Sequence, residues 1–184
     1  MKKILIVFTL LLFTISGISQ NKYLTKTGHV TFEASVPSFE EVKATNNSTT
    51  VILNIENGQF AALVFVKGFR FKNALMEEHF NENYAESDNY PKANFKGEIK
   101  DFDINNINET NTKVYYNGTL EFHGKTKAVS NLPMTIHLSD NNEIVLSGAL
   151  KVNVDDFDID IPKVVSNKVS KQVEIEYNFP LKKK

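Results

Sequence analysis

The residues able to do chemistry in this chain are few and scattered. Histidines stand at 29, 79, 123 and 137 without metal-ligand spacing, although His123 and His137 lie on neighbouring predicted strands joined near Gly124 and can approach each other. The run Asp156-Phe157-Asp158-Ile159-Asp160 places carboxylates at positions 1, 3 and 5 of a calcium loop. Its sixth position is Ile161 where that loop needs Gly, and its twelfth is Asn167 where it needs Glu. The same run alternates Phe157, Ile159 and Ile161 against the aspartates, which reads as a strand-like segment with a solvated acidic face. Arg70, the only arginine, is the bidentate donor that a pyrophosphate favours, yet between Phe69 and Phe71 it also reads as an exposed strand residue. There is no Gly-x-Ser-x-Gly elbow, no glycine-rich phosphate loop and no His-Glu-x-x-His pair. With 0 cysteines, thiolate chemistry and disulfides are excluded as well. No catalytic residue, metal or cofactor is assigned, and an enzyme is not expected. His79 alone sits where it can act directly, on the apolar face of a predicted helix, as a donor to a ligand head group or as a core histidine bonded to backbone.

The elements that must position these residues are mostly strands. Val30, Phe32 and Ala34 alternate with polar neighbours, as do Ile144, Leu146, Leu150, Val152 and Val154, and later Val173, Ile175, Tyr177 and Phe179. Period-2 alternation is the mark of a strand with one buried face. Asn57-Gly58 is a strong hairpin signal, Asp140-Asn141-Asn142 separates two strands, and Gly124 marks another turn. Eight strands follow, at roughly 28–36, 49–56, 59–67, 93–103, 112–123, 126–138, 143–154 and 171–180. Pro133 falls inside the sixth, which predicts a bulge or break there. Between strands 3 and 4 a short helix is predicted over 73–81, capped by Asn73, with Leu75, Met76, His79 and Phe80 on one face. Eight antiparallel strands with short connections can close into a barrel that leaves no edge and has room for one small ligand. A two-layer sandwich is the competing architecture.

The envelope is that of an exported single domain. Lys2 and Lys3 precede an apolar core, Ile4 to Phe13, and Gly17-Ile18-Ser19 offers small residues to a signal peptidase. This predicts a signal peptide over 1–19, cut between Ser19 and Gln20, one domain over 20–184, and a periplasmic or secreted location. No later segment approaches the ~18 consecutive apolar residues of a transmembrane helix, so no stable membrane span is expected. A net charge of −1, from 21 basic and 22 acidic residues, lacks the basic footprint of a nucleic-acid-binding protein.

The run Ala74-Leu75-Met76-Glu77-Glu78-His79-Phe80, with Glu86-Ser87, Tyr90-Pro91-Lys92-Ala93 and Phe95, resembles the YceI-like family. Further matches are Leu120 to Val129 and the closing Asp156-Phe157-Asp158-Ile159 with Val173-Glu174-Ile175, so the likeness covers nearly all of the chain after residue 25. The resemblance implies a lipocalin-like barrel that sequesters or carries a polyisoprenoid in the bacterial periplasm. Its partner is then an isoprenoid or other long-chain lipid, and a homodimer is compatible with that reading. The chain departs from the family pattern at Glu40 to Thr45, where the barrel entrance is expected to differ. Apolar strand residues supply a lining: Phe32, Val64, Val66, Phe69, Phe71 and Phe95, then Phe122, Leu146, Leu150 and Ile175. Leu75, His79 and Phe80 are expected at the mouth, and Arg70 is the weak candidate for a head group. Burying about ten methylenes at ~0.8 kcal/mol each gives about 8 kcal/mol. That corresponds to roughly micromolar binding before ordering costs, so a lipid tail needs no special polar residue. Two alternatives stay open: a solid barrel whose partner is another protein, and an enzyme acting on a hydrophobic substrate through His79.

Overall fold

A computed structural model describes residues 21–184; the expected leader and its cut after Ser19 lie outside them. The alternating segments form β1 (Lys22–Ser35), β2 (Lys43–Asn54), β3 (Gln59–Phe65), β4 (Arg70–Phe71), β5 (Lys92–Ile99), β6 (Thr112–Phe122), β7 (Lys125–Leu138), β8 (Ile144–Asn153) and β9 (Val169–Lys183). Eight of them pair antiparallel in a ring, because β1 is bonded to β2 on one side and to β9 on the other. The result is a closed eight-stranded barrel, not a sandwich. The two-residue β4 is an appendage that pairs with the start of β2, Ala44 opposite Phe71. Helix α1 (Ala74–His79) and a π-helical continuation, Phe80–Tyr84, lie between β4 and β5, in the expected gap between the third and fourth long strands.

Two strands start earlier than periodicity predicts. β1 begins at Lys22 and β2 at Lys43, through stretches that read as polar. Pairing carries them: Tyr23 to Thr25 lie opposite Val51 to Leu53, and the hydroxyls of Thr31 and Thr45 meet at 2.9 Å. Asn46 is fully buried, donating Nδ2 to the Phe65 carbonyl at 3.0 Å while its Oδ1 accepts from the Ser48 amide at 2.8 Å. A buried amide so satisfied costs little. The expected irregularity near Pro133 is a bulge two residues earlier: Asn131 takes φ 54° and its amide donates to the Asn117 side chain at 2.9 Å. The Asp156–Ile161 run is not a strand. It begins in a 3₁₀ turn, Val154–Phe157, followed by left-handed Asp158. Asp156 faces Lys127 and Asp158 faces Lys125, while Asp155 just before the run faces Lys171 and Asp160 is exposed.

The two barrel ends differ. At one end lie the tight β2–β3 and β7–β8 turns, and the interior is packed solid by Val51, Leu53, Leu146 and Leu181, all fully buried. Phe102, Ile104 and Ile107 of the β5–β6 connection pack against this core. At the other end lie the β1–β2 connection, the helical insertion, the β6–β7 turn and the 154–168 segment. The interior is left hollow there. Gly97 and Gly118, paired across β5 and β6, fix how the middle is filled. A Cβ at Gly118 would stand 2.4 Å from Phe95 Cζ, and one at Gly97 2.6 Å from Phe60 Cζ, so both rings lie flat over bare backbone.

Candidate functional site

Four phenylalanines from three elements build the wall of the hollow end. Phe32 on β1 contacts Phe69, Phe71 and Phe80 at ring-centroid distances of 5.0, 5.7 and 5.1 Å. Phe80 closes the group against Phe71 at 5.3 Å. Aromatic rings at such distances add to their burial energy and leave few rotamers open. The group ties the helix to the barrel rim.

Polar contacts fix the rotation of that helix. The Asn73 side chain accepts from the amides of Leu75 at 3.0 Å and Met76 at 3.4 Å, the expected cap. Glu77 accepts from Arg70 Nη1 at 3.0 Å and from the Phe71 amide at 3.1 Å. Asn73 Nδ2 donates to Glu40 Oε1 at 3.0 Å, joining the helix start to the β1–β2 connection. On the opposite side of the rim, His123 Nδ1 donates to the Phe157 carbonyl at 2.9 Å, and its ring lies 4.5 Å from that of Tyr90.

The framed cavity has a volume of about 380 Å³, within the ~300–1,000 Å³ of small-molecule sites. Its wall is apolar: Val30, Val64, Ala93, Leu120, Val173 and Ile175 from the strands, Met76 and Phe80 from the helical segment, Ile159, Ile161 and Val165 from the 154–168 segment. Glu40, His79, Tyr84 and Lys168 are the lining residues with polar side chains. A narrower lobe of about 80 Å³ continues inward, sharing Val30, Val64, Ala93, Leu120 and Ile175 with the main cavity. It stops at Phe60, Phe95, Tyr116, Tyr177 and Phe179. Burial, and next the neighbouring Tyr116 hydroxyl, push the Tyr177 hydroxyl far above the usual tyrosine range, and burial raises Tyr116 too. The Tyr177 hydroxyl is buried without a partner in hydrogen-bonding geometry.

Of the residues picked from the sequence, Phe32, Val64, Phe69, Phe71, His79, Phe80, Phe122 and Ile175 line the main cavity. Phe95 and Leu150 line the inner lobe. Four are placed elsewhere. Leu75 points outward, 57 % exposed, because it sits ~100° round the helix from Met76 and the cap turns Met76 inward. Val66 is buried in the 3₁₀ turn after β3, away from the lining, and Leu146 belongs to the solid end. Arg70 is occupied by Glu77 and by the carbonyls of Lys67 and Phe69, at 2.8 and 2.9 Å, so its guanidinium clamps β4 to the helix and faces no cavity. His123 and His137 do not approach each other: one is in the β6–β7 turn, the other near the far end of β7. No metal-holding cluster of His, Cys, Asp and Glu occurs among the described residues. Sequence reasoning missed Val30, Ala34 and Val173, which share the alternation of Phe32 and Ile175 and were legible from it. Phe39, Glu40 and Lys168 lie in connections, where no period marks them.

A family model described as YceI-like domain matches residues 22–181. No curated protein is matched. Among solved structures, a polyisoprenoid binding domain from Saccharophagus degradans implicated in plant cell wall breakdown superposes with a TM-score of 0.76 at 12% identity, covering 90% of this chain and 100% of that one. BcnA of Burkholderia cenocepacia gives 0.66 at 15% identity, over 84% and 94% of the two chains. The YCEI protein of Campylobacter jejuni gives 0.58 at 14%, over 79% and 88%. At such identities the likeness is one of fold.

Proposed function

Because the chain belongs to the YceI-like domain family, we propose that it is a binding protein, not an enzyme, which holds a long apolar molecule of the polyisoprenoid type inside its barrel. The observation that carries this reading is the cavity of about 380 Å³ at one barrel end, apolar throughout its depth and polar at the rim. Burial of a hydrocarbon chain there is driven by loss of apolar surface from water, needs no polar partner along the chain, and leaves a head group among Glu40, His79, Tyr84 and Lys168. The solved Saccharophagus degradans domain, named for polyisoprenoid binding, supports the same choice of guest. So does the solid-barrel alternative's own criterion, since the interior is hollow at this end. His79 is exposed at the rim, and among the described residues no group orients it as a catalytic base requires. Export to the periplasm or beyond, by cleavage after Ser19, belongs to the same proposal: a carrier of such molecules works where membranes face water.

Native mass spectrometry of protein expressed into a bacterial periplasm tests the reading. A lipid adduct on the purified protein is expected, or uptake of added polyprenyl phosphate by the empty form. Ala93 lines both lobes, so Ala93→Phe should fill the passage between them and abolish the adduct while circular dichroism keeps its sheet signature. A wild-type protein that stays empty and takes up nothing rejects the proposal.

A further inference from the structure

The rim has a second property that the cavity explains only in part. Five large apolar side chains are exposed among the described residues: Phe39 at 44 %, Phe65 at 51 %, Leu75 at 57 %, Tyr115 at 41 % and Val164 at 81 %. Two of them are covered by cations, Phe65 under Lys92 Nζ at 5.8 Å and Tyr115 under Lys113 Nζ at 5.5 Å. The other three all stand on the segments that frame the cavity. Phe39, itself at the edge of the cavity lining, is in the β1–β2 connection, while Leu75 on α1 and Val164 next to the lining residue Val165 lie outside that lining.

These segments are neighbours. Ser35 pairs with Val169, which brings the β1–β2 connection beside the 154–168 segment. The Asn73–Glu40 hydrogen bond and the Lys72–Glu41 ion pair hold the start of α1 against the same connection. Charge is distributed unevenly among them. Arg70 and Lys72 are taken up by Glu77 and Glu41, whereas on the 154–168 segment Lys163 and Lys168, which bracket Val164, are exposed and form no ion pair among the described residues, against the single exposed and likewise unpaired acid Asp160. Glu78 and Glu82 are exposed on the helical segment, so the lysine-bearing side is the one suited to an anionic surface.

We propose that this rim docks on a phospholipid bilayer, with Phe39, Leu75 and Val164 entering the head-group boundary and Lys163 and Lys168 meeting lipid phosphates. Interfacial binding of this kind combines buried apolar area with attraction to anionic lipid. The proposal rests on the cargo reading, because a guest that dissolves in bilayers can then pass from membrane to cavity without crossing water.

Co-sedimentation of the protein with vesicles tests it, using phosphatidylethanolamine with phosphatidylglycerol against phosphatidylcholine alone. Stronger binding to the anionic vesicles is expected, weakening as salt rises. Lys163→Glu should lower it at least about fivefold. The double variant Leu75→Ser/Val164→Asp, at two exposed positions outside the cavity wall, should reduce sedimentation to background. Uptake of farnesol in vesicle-free buffer, read by native mass spectrometry, should stay unchanged in both variants. Wild-type protein that ignores both vesicle types, or a double variant that sediments like wild type, overturns the docking. A dimer on gel filtration that the double variant dissolves would place a second copy on this rim and overturn it too. Vesicle binding without farnesol uptake upholds the rim and removes the cargo.

Discussion

Tyr177 shows how one buried hydroxyl can govern behaviour far from neutral pH. Its side chain lies over Gly148, where a Cβ would come within 2.5 Å of the hydroxyl, so the glycine makes room for it. The hydroxyl has no partner in hydrogen-bonding geometry, and leaving a buried donor unmade costs about 1–3 kcal/mol. Tyr177→Phe should therefore be neutral or stabilising by about 1 kcal/mol in urea unfolding. The sign of the pH effect follows from the raised folded-state values of Tyr116 and Tyr177. Below the unfolded tyrosine pKa of ~10 both states are protonated and nothing changes. Above it the unfolded chain ionises while Tyr177 in the native chain does not, so this residue lowers stability by about 1.4 kcal/mol per pH unit, and Tyr116 adds to the loss in the same direction. Unfolding free energies across that range should fall less steeply in Tyr177→Phe, by about 1.4 kcal/mol per pH unit, and equal slopes would mean that Tyr177 ionises freely in the native state. Neither effect was legible in the sequence. Tyr177 was placed on an inward face by its alternation with Glu176 and Asn178, but whether a partner reaches its oxygen depends on residues from β6 and β8.

At the scale of elements, the strands announced themselves wherever one face was apolar, and were cut short wherever pairing carried polar residues, as in β1 and β2. The helix was legible in place and cap but not in rotation. Leu75 and Met76 are both apolar, and the Asn73 cap, the Glu77 contacts and the seating of Phe80 among Phe32, Phe69 and Phe71 together decide which of them turns inward. The 154–168 segment gave Ile159 and Ile161 a correct inward sense and a wrong backbone form, since its 3₁₀ turn is set by Asp156 accepting from the Asn153 amide at 3.2 Å. The helical insertion is held by the Asn73 cap, the phenylalanine group, the Asn73–Glu40 and Glu77–Phe71 hydrogen bonds, and ion pairs such as Lys72 with Glu41, whose exposed lysine makes it contribute little in water. Asn73→Ala should cost the helix about 1 kcal/mol. Amides between 74 and 84 should then exchange faster, by hydrogen exchange, than those of β5 to β9. Unchanged protection would transfer the anchoring to the phenylalanines alone.

For the whole molecule, ring closure through β1 removes exposed strand edges, so the barrel can stay hollow at one end without offering a template for aggregation. The solid end supplies the stability that the hollow end lacks. Affinity for a series of prenyl alcohols should climb with each added unit while the chain fills the two lobes, then level off, which isothermal titration can follow. A continued climb would mean that the packed end yields. The wall of Phe60, Phe95, Tyr116, Tyr177 and Phe179 has a further consequence. For the proposed cargo, a bore sealed at its base would admit the guest tip-first and release it in reverse, the last unit to enter being the first to leave. Exchange would then be a swap at a single doorway, never a stream from one side to the other, with the depth of the shaft as a ruler.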